Sequence, residues 1–295
     1  MKPKQNLKIY ITGAKGRLGK TVLKLIPNAI PVNLRDSNLD LKQTFKGANA
    51  VIHLAGSMKF NDKKELWHAN YGLTKRICDS IDPKKTRIIY AGSISVYGKK
   101  LAELPANEQT RCRPDSEYAK SKYASEQEVL EGKGNVVLRI GTIYGPGFED
   151  YFKMIEYISK SRMPIIGDGK NHLPFVHVDD VARAIANSVN AKPGVYVVCA
   201  DPITQIETHE AVCKALRIRM EPKKTSVAIA KALFLLQGMI KKLMNKKQFL
   251  TSEHLNILAN DRFFNCAKAK KELKFKPRKT PEGIKEMVKE YLHKK

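Results

Sequence analysis

A chain of 295 residues can bury one substantial core and a smaller appended lobe. With 42% hydrophobic and 28% charged residues it has an ordinary globular composition, which excludes disordered and fibrous classes. The net charge is +25, but the lysines are spread along the whole chain without a nucleic-acid motif or interleaved aromatic residues. We therefore read them as solvated surface and expect no nucleic-acid partner.

Residues 1–6 are polar and basic, so no secretory signal is expected. The five cysteines (Cys78, Cys112, Cys199, Cys213, Cys266) are widely spaced and form no CxxC pair. That pattern points to a reducing, cytoplasmic compartment and to no metal site.

Strand and helix signals alternate from the start. Leu7–Thr12 predicts a strand ending in a glycine-rich turn, and Arg17–Ile26 a helix closed by Pro27. Further strands are expected at Ile30–Leu34, Ala50–Leu54, Arg87–Ala91 and Val136–Ile140, with helical stretches between them. Short Val/Ile/Leu runs separated by helices describe a parallel sheet covered on both faces. Right-handed crossovers then give an α/β, doubly wound fold. After Gly145-Pro146-Gly147 the pattern loosens: Tyr151–Ser161 reads as a helix, Val195–Cys199 as a returning strand, and helices dominate from Glu207 onward. Asp179 and Asp180 precede the apolar-periodic helix Val181–Val189 and read as an N-cap and a first-turn acid rather than metal ligands beside His177. The expected division is a dinucleotide-binding domain over residues 1–145, with 175–200 returning to it. Residues 146–174 and 201–295 would form a smaller, mostly helical substrate lobe.

Thr12-Gly13-Ala14-Lys15-Gly16-Arg17-Leu18-Gly19 follows a predicted strand and opens a predicted helix. Gly13 permits a tight turn, Gly16 lets backbone approach a pyrophosphate, and Gly19 allows close helix–strand packing. The helix start adds free N–H groups and a positive dipole end. Past the second strand, a carboxylate would accept from a ribose 2′-hydroxyl, whereas an arginine would take a 2′-phosphate. The chain has Leu34-Arg35-Asp36. Arg35, with Lys15 and Arg17 in the loop, favours NADP over NAD; Asp36 leaves NAD open.

Tyr118-Ala-Lys-Ser-Lys122 sets a phenol and an ammonium four residues apart, on one face of a predicted helix. A cation about 4 Å away at an effective dielectric near 20 is worth about 4 kcal/mol, or roughly three pKa units, enough to bring a phenol towards neutrality. Such a phenol can give or take a hydroxyl proton. Ser93, at the end of the fourth strand, would lie in the ligand crevice and can hydrogen-bond a substrate oxygen.

Several blocks occur together: Thr12–Gly19, Ala50-Val-Ile-His-Leu-Ala-Gly56, Asn70 with Gly72, Ser93 to Gly98, Pro114 to Lys122, Leu138 to Gly147 and Phe175 to Val181. In this order they resemble the extended short-chain dehydrogenase/reductases, the epimerase/dehydratase superfamily, over nearly the whole length. The resemblance implies Ser93, Tyr118 and Lys122 as the catalytic triad. It also implies that Asp40 and Leu41 flank the adenine, that Leu54, Ala55 and Gly56 line the cofactor, and that Asn70 orders the site. Ile140 and Gly141 would pack by the nicotinamide, with Ala91, Tyr118 and Lys122 also against the cofactor. Ile94-Ser95 replaces the acidic pair of the sugar-nucleotide dehydratases, which argues against water elimination. Thr142 replaces an asparagine with which many sugar-nucleotide epimerases hold the diphosphate. Arg139–Gly147 and the segment from Asn260 to Pro277 look closer to the 3β-hydroxysteroid dehydrogenase and dihydroflavonol reductase branch. The expected function is therefore an NAD(P)-dependent oxidoreductase interconverting a secondary alcohol and a ketone in a small-molecule substrate. A transiently oxidising sugar-nucleotide epimerase is the alternative, and a non-catalytic NADP sensor stands behind both. A homodimer is what the family would imply.

Val227–Met244 is apolar with lysines clustered around it. Its first reading is a helix packed over the substrate lobe. Its second is a peripheral contact with an anionic membrane, or a lid for a hydrophobic substrate.

Overall fold

The short Val/Ile runs become strands because both of their faces are covered, as the computed structural model, which describes residues 7–60, 62–243 and 257–295, makes plain. The first half alternates β1 (Ile9–Thr12), α1 (Arg17–Leu25), β2 (Ile30–Val32), α2 (Leu41–Thr44), β3 (Ala50–His53), α3 (Lys63–Trp67), α4 (Leu73–Cys78), β4 (Arg87–Ser93), α5 (Glu117–Leu130) and β5 (Val136–Ile140). Then follow β6 (Thr142–Tyr144), α6 (Asp150–Ser159), β7 (Ile165–Ile166), β8 (His172–Leu173), β9 (Phe175–His177), α7 (Val178–Ser188) and β10 (Gly194–Val198). After these come β11 (Ile203–Thr204), α8 (Gln205–Leu216), β12 (Lys224–Thr225), α9 (Val227–Leu243) and the helices Ala267–Glu272 and Thr280–His293.

Six strands pair in parallel in the order β10-β5-β4-β3-β1-β2. Ile9, Ile11, Ile52, Ile89 and Leu138 enter the core beneath α1 and α7, where Val22, Val181 and Ile185 meet them. Their neighbours Tyr10, Val51, Ile88, Tyr90 and Val137 enter a second core with Leu41, Phe45, Ile77 and Val129. Each fully buried aliphatic side chain contributes about 1.5–3 kcal/mol, so a strand with two dry faces needs no polar alternation. β1 is the switch point: β2 lies on one side of it and the later strands on the other, which opens a crevice at the strand ends there. The fold is the doubly wound α/β class expected from the pattern.

A third core joins Tyr144 to Ile155 and Ile158 of α6, Val212 of α8, and Ile284, Met287 and Val288 of the C-terminal helix. Short two-stranded pairs, β6–β9, β7–β12 and β8–β11, accompany it.

Two expectations need correction. α7 starts at Val178, and its N-cap is His177, whose ring accepts from the Asp179 N–H, so Asp179 and Asp180 both lie in the first turn. Asp180 is buried and satisfied by Arg183 and by the Arg278 N–H at 2.8 Å, which explains an acid pair at a helix start without a metal. The second correction concerns α9. Val227 lies beside Gly167, but Ile229, Leu233, Leu235 and Leu236 beyond it are 52–66% exposed, so at these positions the helix is not packed over the C-terminal lobe; Met244 of the expected span lies outside the described residues.

Candidate active site

The glycine turn is shaped by contacts that allow no side chain. Gly13 has φ +71°, and a Cβ there would stand 2.7 Å from the Ala55 nitrogen. A Cβ on Gly19 would collide with the Gly13 carbonyl and the Ala14 backbone, so α1 can sit this close to β1 only with glycine at that position. Gly16 is the N-cap of α1, in an extended conformation, with no side-chain cap and no acid in the first turn. The opening N–H groups of α1 therefore keep donors and a positive dipole end for an anion. Ala14 is buried, Leu18 packs on the core, and Lys15 is exposed at the turn. Such a cradle fits a dinucleotide pyrophosphate. Arg17 is engaged elsewhere: its guanidinium meets Asp150 at 2.8 Å and the Gly147 carbonyl at 3.4 Å, and stacks 4.3 Å from the Phe148 ring centroid.

β2 ends at Val32, two residues earlier than expected, and Asn33–Asp36 form a turn closed by the Asp36 N–H on the Asn33 carbonyl. Arg35 and Asp36 are both exposed on this turn; Asp36 Oδ1 accepts from the Asn38 N–H at 3.0 Å. Asp40 caps α2 by accepting from the Gln43 N–H at 3.1 Å. Leu41 is buried against the second core, and together with Asp40, Arg76 and Ser80 it borders a shallow hollow of about 370 Å³.

Behind the turn runs a directional chain of hydrogen bonds. The Ala55 N–H donates to Thr12 Oγ1 at 3.4 Å, and Thr12 Oγ1 lies 2.7 Å from His53 Nδ1. His53 Nε2 lies 2.9 Å from Thr74 Oγ1, which donates to the Asn70 carbonyl at 2.6 Å. Because Thr74 spends its proton on Asn70, it accepts from His53 Nε2–H, and Nδ1 in turn accepts from Thr12. His53 is thus neutral, and burial, with the Lys122 charge nearby, pushes its pKa down to about 3. Asn70 sits in a π-helical turn, His68–Gly72, between α3 and α4. Its side chain accepts from the Ser57 N–H at 2.9 Å and donates to Ser121 Oγ at 3.0 Å. Ser121 donates onward to the Tyr118 carbonyl at 2.9 Å. Gly56 is kept bare because a Cβ there would press on Asn70 Oδ1, at 2.8 Å.

On the far side of this network, α5 lies against β4. It begins with Ser116 capping the Ala119 N–H, which places Tyr118 and Lys122 on successive turns. Lys122 is 6% exposed; its ammonium donates to the Ala91 carbonyl at 2.6 Å and lies 4.3 Å from the Tyr90 ring centroid. Burial lowers its pKa to about 7, against the opposing pull of Glu126. Tyr118 is half-buried, its ring edge-on to Phe60 at 5.3 Å between centroids. Ser93, two residues beyond Ala91, accepts from the Ser95 N–H at 3.1 Å, which leaves its hydroxyl proton to donate. Ile140 pairs with Ser93 across β4–β5 and is buried; Gly141 follows, walled by the Pro174 carbonyl and Cys199 Sγ.

The structure therefore joins Gly13, Leu54–Gly56, Asn70, α5 and the end of β4 in one connected neighbourhood. Arg35 and Asp36 stand at the end of β2, and Arg17 is turned towards Asp150. Sequence reading missed Thr12, His53, Thr74, Ser57 and Ser121 as the supports of this neighbourhood, and Phe60 as the ring beside Tyr118. It also missed the buried pair Glu126–Arg139, closed at 2.6 Å, which anchors α5 to β5. An isolated His53 in an apolar strand was the one available signal, since a buried imidazole needs partners on both nitrogens.

The model of the NAD dependent epimerase/dehydratase family matches residues 9–199. An uncharacterized protein, y4nG, of Sinorhizobium fredii is 26% identical over 81% of the chain, which spans 61% of that protein's length. The 3beta-hydroxysteroid-dehydrogenase/decarboxylase isoform 1 of Arabidopsis thaliana is 25% identical over 94% of the chain and 70% of its own length. Among solved structures, UDP-N-acetylglucosamine 4-epimerase from Methanobrevibacter ruminantium, in complex with UDP-N-acetylmuramic acid, superposes with a TM-score of 0.76. It is 18% identical, with 99% of this chain and 100% of that one covered, a likeness of fold. With the glycine cradle, the six-stranded parallel sheet and a family match running from β1 through β10, the chain belongs to the NAD dependent epimerase/dehydratase family, the extended short-chain dehydrogenases/reductases.

Proposed function

We propose that the protein is an NADP-preferring dehydrogenase/reductase that interconverts a secondary alcohol and a ketone, with Tyr118 as its acid/base. The observation that carries this reading is the buried Lys122 ammonium on the Ala91 carbonyl, one helical turn from Tyr118 and on the strand that bears Ser93. A cation held there without freedom to swing out favours the ionised form of a neighbouring phenol. Tyr118 then takes the hydroxyl proton of an alcohol, or returns it to a ketone oxygen, while Ser93 donates a hydrogen bond to the same oxygen. A bound nicotinamide supplies the hydride acceptor or donor for the carbon. Gly13, Ala14, Lys15, Gly16 and the start of α1 would hold its pyrophosphate, and Leu54, Ala55, Gly56, Ile140 and Gly141 its flanks. Exposed Arg35 supports the 2′-phosphate of NADP.

The test is absorbance of the reduced cofactor during incubation with a panel of secondary alcohols and ketones, NADP(H) and NAD(H) compared. Stoichiometric change with product supports a reductase. Conversion of a sugar nucleotide without net absorbance change would replace it with the epimerase reading.

A further inference from the structure

α9 presents an apolar stripe that is exposed among the described residues. Ile229, Ala232, Leu233 and Leu236 fall at i, i+3, i+4 and i+7 and so share one helix face, and all four are exposed. Leu235, 66% exposed, falls outside this face, one turn on from Lys231. Lys231 projects from nearly the opposite side of the helix. The charge around the stripe has one sign: the 31 residues from Pro222 to Ser252 contain seven lysines and no aspartate or glutamate, so all 29 acids lie elsewhere. Lys223, Lys224 and Lys231 are exposed. Among the described residues no helix is long and apolar enough to cross a membrane.

Three large exposed aliphatics with Ala232 on one helix face, Ile229, Leu233 and Leu236, mark a contact surface. The local charge selects the occupant. A second copy of the chain would bring seven more lysines against these seven, with no acid in either segment to offset them. An anionic phospholipid surface supplies an apolar layer for the stripe and phosphates for the lysines together. We propose that α9 is an interfacial helix that docks the protein on anionic membranes, the Ile229–Leu236 stripe lying at the acyl boundary and the lysines on the headgroups. This rests on α9 and the basic sequence around it and stands whatever reaction the protein catalyses.

Flotation of the full chain with vesicles of phosphatidylcholine alone, or with about 30% phosphatidylserine, tests it. Binding is expected only with phosphatidylserine and should fall roughly tenfold or more at high salt. The double variant Leu233→Ser/Leu236→Ser should lose a comparable factor, while thermal unfolding and NADPH binding stay as in the parent, since both side chains are already in solvent. The pair Lys224→Gln/Lys231→Gln should weaken binding and flatten its salt dependence. Absence of binding to phosphatidylserine vesicles, equal binding by the double leucine variant, or binding that needs no anionic lipid would overturn the proposal. So would a concentration-dependent dimer in light scattering that the leucine variant abolishes.

Discussion

Replacing Lys122 by methionine should stabilise the fold while removing turnover. Lys122 is 6% exposed and burial pushes its ammonium down to about 7. An unfolded lysine titrates near ~10.4, so at about 1.4 kcal/mol per unit the buried charge costs about 5 kcal/mol below neutrality. Methionine fills similar space without that cost but takes the donor from the Ala91 carbonyl, a loss of about 1–3 kcal/mol. The net gain is about 2–4 kcal/mol, or on the order of 5–10 °C in Tm for a chain of this size. The sign of the pH dependence follows from the depressed pKa. Between about pH 7 and 10 the unfolded chain holds a proton that the folded protein has released, so parent stability rises with pH across that window. The advantage of Lys122→Met should therefore be greatest near pH 6 and shrink towards pH 10. Denaturant unfolding of the cofactor-free protein at several pH values measures it. A variant less stable than its parent at pH 6, or an advantage that does not shrink with pH, would refute the account of Lys122 as a strained, functionally placed cation.

Tyr118→Phe should lower kcat by about 10²–10⁴ with cofactor Kd changed by no more than about twofold, read from steady-state kinetics and cofactor fluorescence. Gly19→Ala should abolish the thermal shift that NADPH produces and cost about 1–3 kcal/mol, because its Cβ meets the Gly13 carbonyl. Arg35→Ala should weaken NADPH about tenfold or more and leave NADH nearly unchanged; equal loss for both would assign Arg35 no role at the 2′-phosphate. Glu126→Ala should destabilise by about 3–5 kcal/mol in denaturant unfolding, since it leaves Arg139, 6% exposed, without its counter-charge.

The sheet could be read from the chain because its signals are local. Runs such as Ile9–Thr12 and Val136–Ile140 carry their own β-branched character, and the glycine turn follows β1 directly. Tyr118 and Lys122 were readable for the same reason: helical spacing puts them on one face whatever the rest of the chain does. What spacing cannot convey is the environment that changes the chemistry of Lys122. Lys122 becomes a depressed-pKa cation only because β4, some thirty residues earlier, presents the Ala91 carbonyl and the Tyr90 ring. His53 finds its partners 41 residues before and 21 after it. The cap of α7 went to His177 because an imidazole in extended backbone can accept from the helix start as a carboxylate does. The exposure of α9 depends on whether other elements reach it, which periodicity does not encode.

The hydrogen-bond chain from Ala55 to Asn70 has a consequence for the titration of the whole neighbourhood. Each hydroxyl in it has one proton, already committed: Thr12 to His53, Thr74 to Asn70. His53 can serve both neighbours only as the Nε2–H neutral tautomer, and a second proton would force Thr12 to give up the Nδ1 acceptor. Burial and the Lys122 charge act in the same sense, holding the imidazole pKa at about 3. Above about pH 5 the scaffold linking the glycine turn to Asn70, and through Ser121 to α5, therefore keeps one charge state and one bonding direction. Lys122, one helical turn along α5 from Tyr118, has its own pKa near neutrality and so is a group whose charge changes in the working range.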